Sequence, residues 1–132
     1  MRLSREKIVR ISHQITDLLT QASFNGLHDV APAPTGDFDF AADFRKLGGA
    51  GKCVAGGIDA TAFVSLQPQA LEDYVARLLS EVSPGTGFLA SCGDTVPFGT
   101  PVENLRAVVR ALERHGRQHL SGGLAKTSSS TS

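Results

Sequence analysis

The chain has 132 residues, 41% of them hydrophobic and 20% charged, which suits a single domain with a buried core. Thirteen basic residues balance thirteen acidic ones, so no charge excess points to nucleic acid or an anionic membrane surface as a partner. No apolar run is long enough to span a bilayer, and the charged start Met1-Arg2-Leu3-Ser4-Arg5-Glu6-Lys7 is unlike a secretory signal, so a cytoplasmic protein is expected.

The first predicted element is a helix carrying Ile8, Ile11, Ile15, Leu18, Leu19 and Ala22 on one face, with Ser4 as N-cap. Asn25-Gly26 ends it, and Leu27 to Val30 follows as a short strand. Pro32 and Pro34 then forbid both a continued ladder and an immediate helix. Thr35-Gly36-Asp37 is read as a turn into a helix over Phe38 to Leu47, stopped by the glycines at 48, 49 and 51. Lys52 to Ala55 is a second strand, ending in Gly56-Gly57-Ile58-Asp59. Pro68 suits the first turn of the next helix, where its missing N–H costs nothing. That helix is predicted to bury Leu71, Val75, Leu78, Leu79 and Val82, with Glu72, Asp73 and Arg77 turned away. Ser83-Pro84-Gly85 terminates it, and Phe88 to Cys92 is the third strand. The loop from Gly93 to Gly99 leads to Thr100-Pro101-Val102-Glu103, which spells a capping box. Leu105, Val108, Val109 and Leu112 supply the apolar stripe of the last helix, with Gly116 expected as its C′ residue and His115 and His119 at its end. Ser121-Gly122-Gly123 and Thr127 to Ser132 are low in apolar content and are predicted to be disordered.

Helices alternating with short apolar strands imply an α/β fold with parallel strands joined by right-handed crossovers. Three strand-helix units are too few for a closed barrel, which takes eight units and about 250 residues. Three parallel strands alone also leave two edges and a face uncovered. The expectation is a partial (β/α)8 barrel of the TIM type, completed by further chain or by pairing with another copy. Cys53 and Cys92 lie far apart in no metal-finger spacing and are expected as free thiols.

Three stretches carry a resemblance to a known family. They are Gly26-Leu27-His28-Asp29-Val30-Ala31-Pro32-Ala33-Pro34-Thr35-Gly36-Asp37, then Gly56-Gly57-Ile58-Asp59, then Gly87-Phe88-Leu89-Ala90-Ser91-Cys92-Gly93 running on to Thr100-Pro101-Val102-Glu103-Asn104-Leu105. In order and separation they resemble the uroporphyrinogen decarboxylase (URO-D) superfamily, which includes porphyrinogen decarboxylases and cobamide-dependent methyltransferases. The resemblance implies the last three units of that family's barrel at residues 25–117, behind an N-terminal helix at 1–24 and ahead of a disordered tail at 118–132. The family's earlier strands, with the arginine and aspartate region that binds substrate in the decarboxylases, have no counterpart here.

Active sites of such barrels lie at the C-terminal ends of the strands. His28 with Asp29, Asp59, and Cys92 with Asp94 therefore face the expected site. One of His28 and Asp29 points to the opposite face, because strand residues alternate. Asp59 serves equally as a site residue or as the cap of its own turn. Asp94 stands where the decarboxylases carry the His of a Gly-His-Gly motif, counting back from Thr100 without gaps. Cys92 would be a zinc ligand by its resemblance to the methyltransferases, whose cysteine after the last strand helps hold the metal. Their His-x-Cys pair is missing, since His13 is followed by Gln14 and Ile15. The alternative for Cys92 is an inert buried thiol.

The resemblance thus implies a lyase or methyltransferase acting only within a larger barrel. Its substrate would be a porphyrinogen, or a methyl donor and thiol with a corrinoid protein as partner and zinc as metal. The rival expectation is a non-catalytic module that forms a homo-oligomer or binds a partner through its strand edges.

Overall fold

The computed structural model describes residues 15–84 and 86–124, with side chains as far as Arg117. The elements in chain order are α1 (Thr16–Gln21), β1 (Gly26–Val30), α2 (Asp43–Gly49), β2 (Cys53–Ile58), α3 (Ala62–Ser65), α4 (Pro68–Glu81), β3 (Phe88–Cys92) and α5 (Val102–Leu124). The three strands form one open parallel sheet in the order β1-β2-β3. The α/β architecture and parallel topology match the sequence expectation; the described residues form an open sheet rather than a closed barrel.

Among the described residues, only one face of the sheet is covered. Val54 pairs with Leu27 on one side and Phe88 on the other, and paired residues of parallel strands point the same way. Val54 and Leu27 are buried, and Phe88 packs edge-on against Phe40 and Phe44 at centroid distances of 5.9 and 5.7 Å. On the alternate positions, His28, Cys53 and Ser91 are exposed, and Leu89 is 67% exposed. The core therefore lies between the sheet and the helices α2 and α4, and α5 packs against α4.

Several boundaries differ from those expected. Ser4, Ile8 and Ile11 lie outside the described residues, and α1 keeps Leu19 in the core while Leu18 faces solvent. The helix expected over Phe38 to Leu47 begins only at Asp43. Asp39 Oδ1 accepts the Ala41 and Ala42 N–H groups, while Asp43 Oδ2 accepts the Asp39 N–H, a reciprocal box that holds residues 39–42 in turns. Gly48 and Gly49 form the last turn of α2 instead of stopping it. Strand β2 runs on through Gly56 and Gly57 to Ile58. Gly56 has φ 146°, and a Cβ there would sit 2.1 Å from the Val30 carbonyl oxygen, so the close approach of β1 requires glycine.

The short helix α3 was not expected. Its carbonyls are met by Asn104, whose Nδ2 donates to Phe63 O at 2.7 Å and Leu66 O at 3.0 Å. The capping box at α5 does not form: Thr100 Oγ1 donates to Pro97 O, and Glu103 pairs with Arg106 at 2.6 Å. Gly116 and His115 lie inside α5, which continues to Leu124 and takes in the Ser121-Gly122-Gly123 stretch expected as tail. Glu72, expected to face away, is buried against Arg110 and Arg114 of α5 at 2.8 and 3.4 Å. Residues 125–132 lie outside the described residues.

Candidate functional site at the strand ends

The C-terminal ends of the three strands close on one another. Gly93, just past β3, donates its N–H to Ile58 O at 2.8 Å. A Cβ on Gly93 would lie 2.8 Å from Ala31 Cα and 2.9 Å from Val30 O, so β3 ends against both β2 and β1. This packing brings the predicted site residues to one edge of the sheet.

Asp59 is 2% exposed and fully occupied by its surroundings. Oδ2 accepts the Thr35 N–H at 3.0 Å, and Oδ1 accepts both the Thr61 N–H at 2.8 Å and the Thr61 hydroxyl. Its own N–H donates to Tyr74 Oη, whose hydroxyl donates in turn to Gly57 O. Burial pushes the Asp59 carboxyl up, but the hydrogen bonds from Thr61 and Thr35 outweigh it and hold the group below its ordinary value. The carboxylate thus fastens the β1–α2 connection to the end of β2. Thr35, Thr61 and Tyr74 escaped the sequence analysis; the Asp59-x-Thr61 spacing, typical of Asx turns, was the available signal.

His28 and Asp29 sit where the β1–β2 register shifts between Leu27 and Val30. Asp29 has φ 59°, a left-handed conformation that aspartate tolerates better than most residues. Its Oδ2 lies 3.2 Å from His28 Nδ1, and the two side chains are 28% and 46% exposed. The irregularity lets neighbouring residues approach each other instead of pointing to opposite faces.

Cys92 is half-buried, and Asp94 Oδ1 accepts the Thr95 N–H at 2.8 Å. Burial is the main cause pushing the Cys92 thiol up. A backbone hydrogen bond from Asp94 opposes it, while the negative charges of Asp94, Asp59 and Asp29 add to the rise. Three carboxylates from three strand ends therefore act on one sulfur.

Among the described residues, no group of three His, Cys, Asp or Glu side chains is placed to hold a metal ion.

A cavity of about 550 Å³ opens elsewhere, between the β1–α2 connection and α4. Phe38, Phe40, Tyr74 and Leu78 line it with Asp37, Asp39, Arg77 and Glu81, and none of the predicted site residues does. The hollow adjoins the strand ends through Tyr74 and Gly57, which belong to the Asp59 network. No helix among the described residues is long and apolar enough to cross a membrane.

Among curated proteins, none matches this chain. A profile of the uroporphyrinogen decarboxylase (URO-D) family matches residues 12–115, which takes in all three strands and the helices α1 to α4. With most of its length matched and the expected parallel strand-helix order in place, the chain belongs to the uroporphyrinogen decarboxylase family.

Proposed function

We propose that these strand-helix units form one part of a larger barrel that decarboxylates a porphyrinogen without a cofactor. The observation that carries this reading is the gathering of Asp29, Asp59 and Asp94 around the ends of β1, β2 and β3. Carboxylates can accept the N–H groups of a pyrrole-type substrate and hold positive charge developing on its rings. Asp59 is tied up by Thr35 and Thr61 and keeps the edge in shape, whereas Asp29 and Asp94 are more open. Asp29 and Asp94 are therefore assigned to the substrate, with His28 positioned against Asp29. The uncovered sheet face and exposed Leu89 support incorporation into a larger assembly.

Equilibrium dialysis of the purified chain against an acidic porphyrinogen, under anaerobic reducing conditions, tests this. Binding should weaken at least tenfold in Asp29→Asn and Asp94→Asn and be unaffected by Cys92→Ser. Absence of porphyrinogen binding overturns the assignment. Stoichiometric zinc binding that disappears in Cys92→Ser would instead favour corrinoid-linked methyl transfer to a thiol.

A further inference from the structure

We propose that the hollow between the β1–α2 connection and α4 binds a basic α-amino acid, one with a second positive charge at the end of an apolar stem. Its walls and floor all belong to described residues between Pro32 and Glu81, away from both edges at which the sheet stops. The β1–α2 connection supplies Asp37 and Asp39, and α4 supplies Tyr74, Arg77, Leu78 and Glu81. Positions 74, 77, 78 and 81 share one helix face. Beneath them Phe38 and Phe40 pack edge to face at 4.7 Å, and a Cβ on Gly57 of β2 would meet Leu78 at 2.8 Å, so the floor is closed. The volume of about 550 Å³ lies within the range of small-molecule sites.

The charges in this hollow are unspent. Among the described residues, the side chains of Asp37, Arg77 and Glu81 have no hydrogen-bond or ion-pair partner, although they line one space. Arg77 and Glu81 are one turn apart, a spacing at which opposite charges commonly pair, yet they do not. Asp39 commits Oδ1 to the Ala41 and Ala42 N–H groups, which leaves Oδ2 for a further donor. Glu81 is the last residue of α4, and the final turn of that helix carries no basic residue. The carbonyl end of a helix is electronegative, so Glu81 and the helix end together favour a cation there.

These groups specify a ligand by sign and by place. Asp37 and Asp39 on one wall suit the α-ammonium, and Arg77 on the other suits the α-carboxylate, whose two oxygens a guanidinium can hold together. The four residues from Arg77 to Glu81 rise about 6 Å along α4, a distance that a stem of three or four methylenes covers. The second cation then reaches Glu81, and Leu78 offers the stem an apolar contact on the way. Three carboxylates against one guanidinium leave the hollow two charges negative. A ligand of net charge +1 complements that field, whereas a neutral or acidic amino acid does not.

Tyr74 is the only tyrosine of the chain, which has no tryptophan, so its fluorescence reports on the hollow. Titration of the full chain with L-lysine at physiological ionic strength, followed by tyrosine fluorescence and by calorimetry, tests the proposal. Saturable binding of one lysine per chain is expected. Norleucine, which lacks the second cation, and cadaverine, which lacks the carboxylate, should each bind at least about fivefold more weakly. Arg77→Gln should erase the preference for lysine over cadaverine, and Glu81→Gln the preference over norleucine. Both residues are exposed, so neither change disturbs the core. The absence of any saturable heat or fluorescence change overturns the proposal. So does cadaverine binding as tightly as lysine, the behaviour of a plain acidic surface, or a variant that keeps the wild-type preference. None of these outcomes involves a porphyrinogen, so the decarboxylase reading stands or falls separately.

Discussion

Asp59 shows how a carboxylate at a strand end can be taken up entirely by its own loops. Its carboxylate collects three donors from two loops, and its folded pKa lies below the unfolded one. A lowered pKa means the ionised form is bound more tightly in the folded state, so the stabilisation is complete above the ordinary value of 3.8 and is lost as pH falls through the folded value. Asp59→Asn should cost about 2 kcal/mol at pH 7, the range for hydrogen bonds to a charged group. Urea unfolding should show the gap between wild type and variant closing as pH drops below about 4; a constant gap would mean that shape rather than charge is at work. Cys92 shifts the other way. In a Cys53→Ser background, its alkylation by iodoacetamide should reach half-maximal rate above the usual thiol range of about 8.5. Asp94→Asn should move that midpoint down, because one of the charges raising it is gone. The sequence placed His28, Asp29, Asp59, Cys92 and Asp94 at or next to the strand ends, where the structure has them. It could not apportion their roles, because the partners of Asp59 come from residues 24 positions before it and two after it.

Elements join through polar locks that hydrophobic periodicity does not reveal. Helices α4 and α5 are held by Glu72, which is 8% exposed and bridged to Arg110 and Arg114. The start of β2 is held to the end of α1 by Lys52, whose Nζ donates to Ala22 O at 2.7 Å and Phe24 O at 2.8 Å and lies over the Phe24 ring. A one-dimensional pattern assigns charged residues to solvent, so both were missed; their burial depends on carbonyls and guanidinium groups tens of residues away. The strands were legible because short apolar runs bounded by glycine and proline leave little else for the backbone to do. Helix ends were less so: the box at Thr100 to Glu103 was set aside when Thr100 turned back to Pro97 and Glu103 found Arg106. Glu72→Ala should destabilise by about 2 kcal/mol, less than a fully buried pair because Arg110 and Arg114 remain partly solvated. A double-mutant cycle of Glu72→Ala with Arg110→Ala should give a coupling of at least about 0.5 kcal/mol by denaturant unfolding; additivity would make the pair incidental.

At the scale of the whole molecule, the parallel order of three strands was readable from the alternation of elements, and so was the conclusion that such a sheet has uncovered parts. Which parts remain uncovered was not readable. Leu105 and Val109 look like core residues by spacing, yet they face solvent, because α5 packs on α4 through Ala107 and Ala111 instead. Val108 and Leu112 also turn to the core, while Val102, Leu105 and Val109 are left exposed. The consequence for β3 can be followed amide by amide. Leu89, Ser91 and Gly93 give their N–H groups to β2 and should be protected from hydrogen exchange at any protein concentration. Phe88, Ala90 and Cys92 face the open edge and should exchange rapidly in dilute solution. Protection of Phe88, Ala90 and Cys92 equal to that of Leu89, Ser91 and Gly93 would show instead that the outer side of β3 is covered.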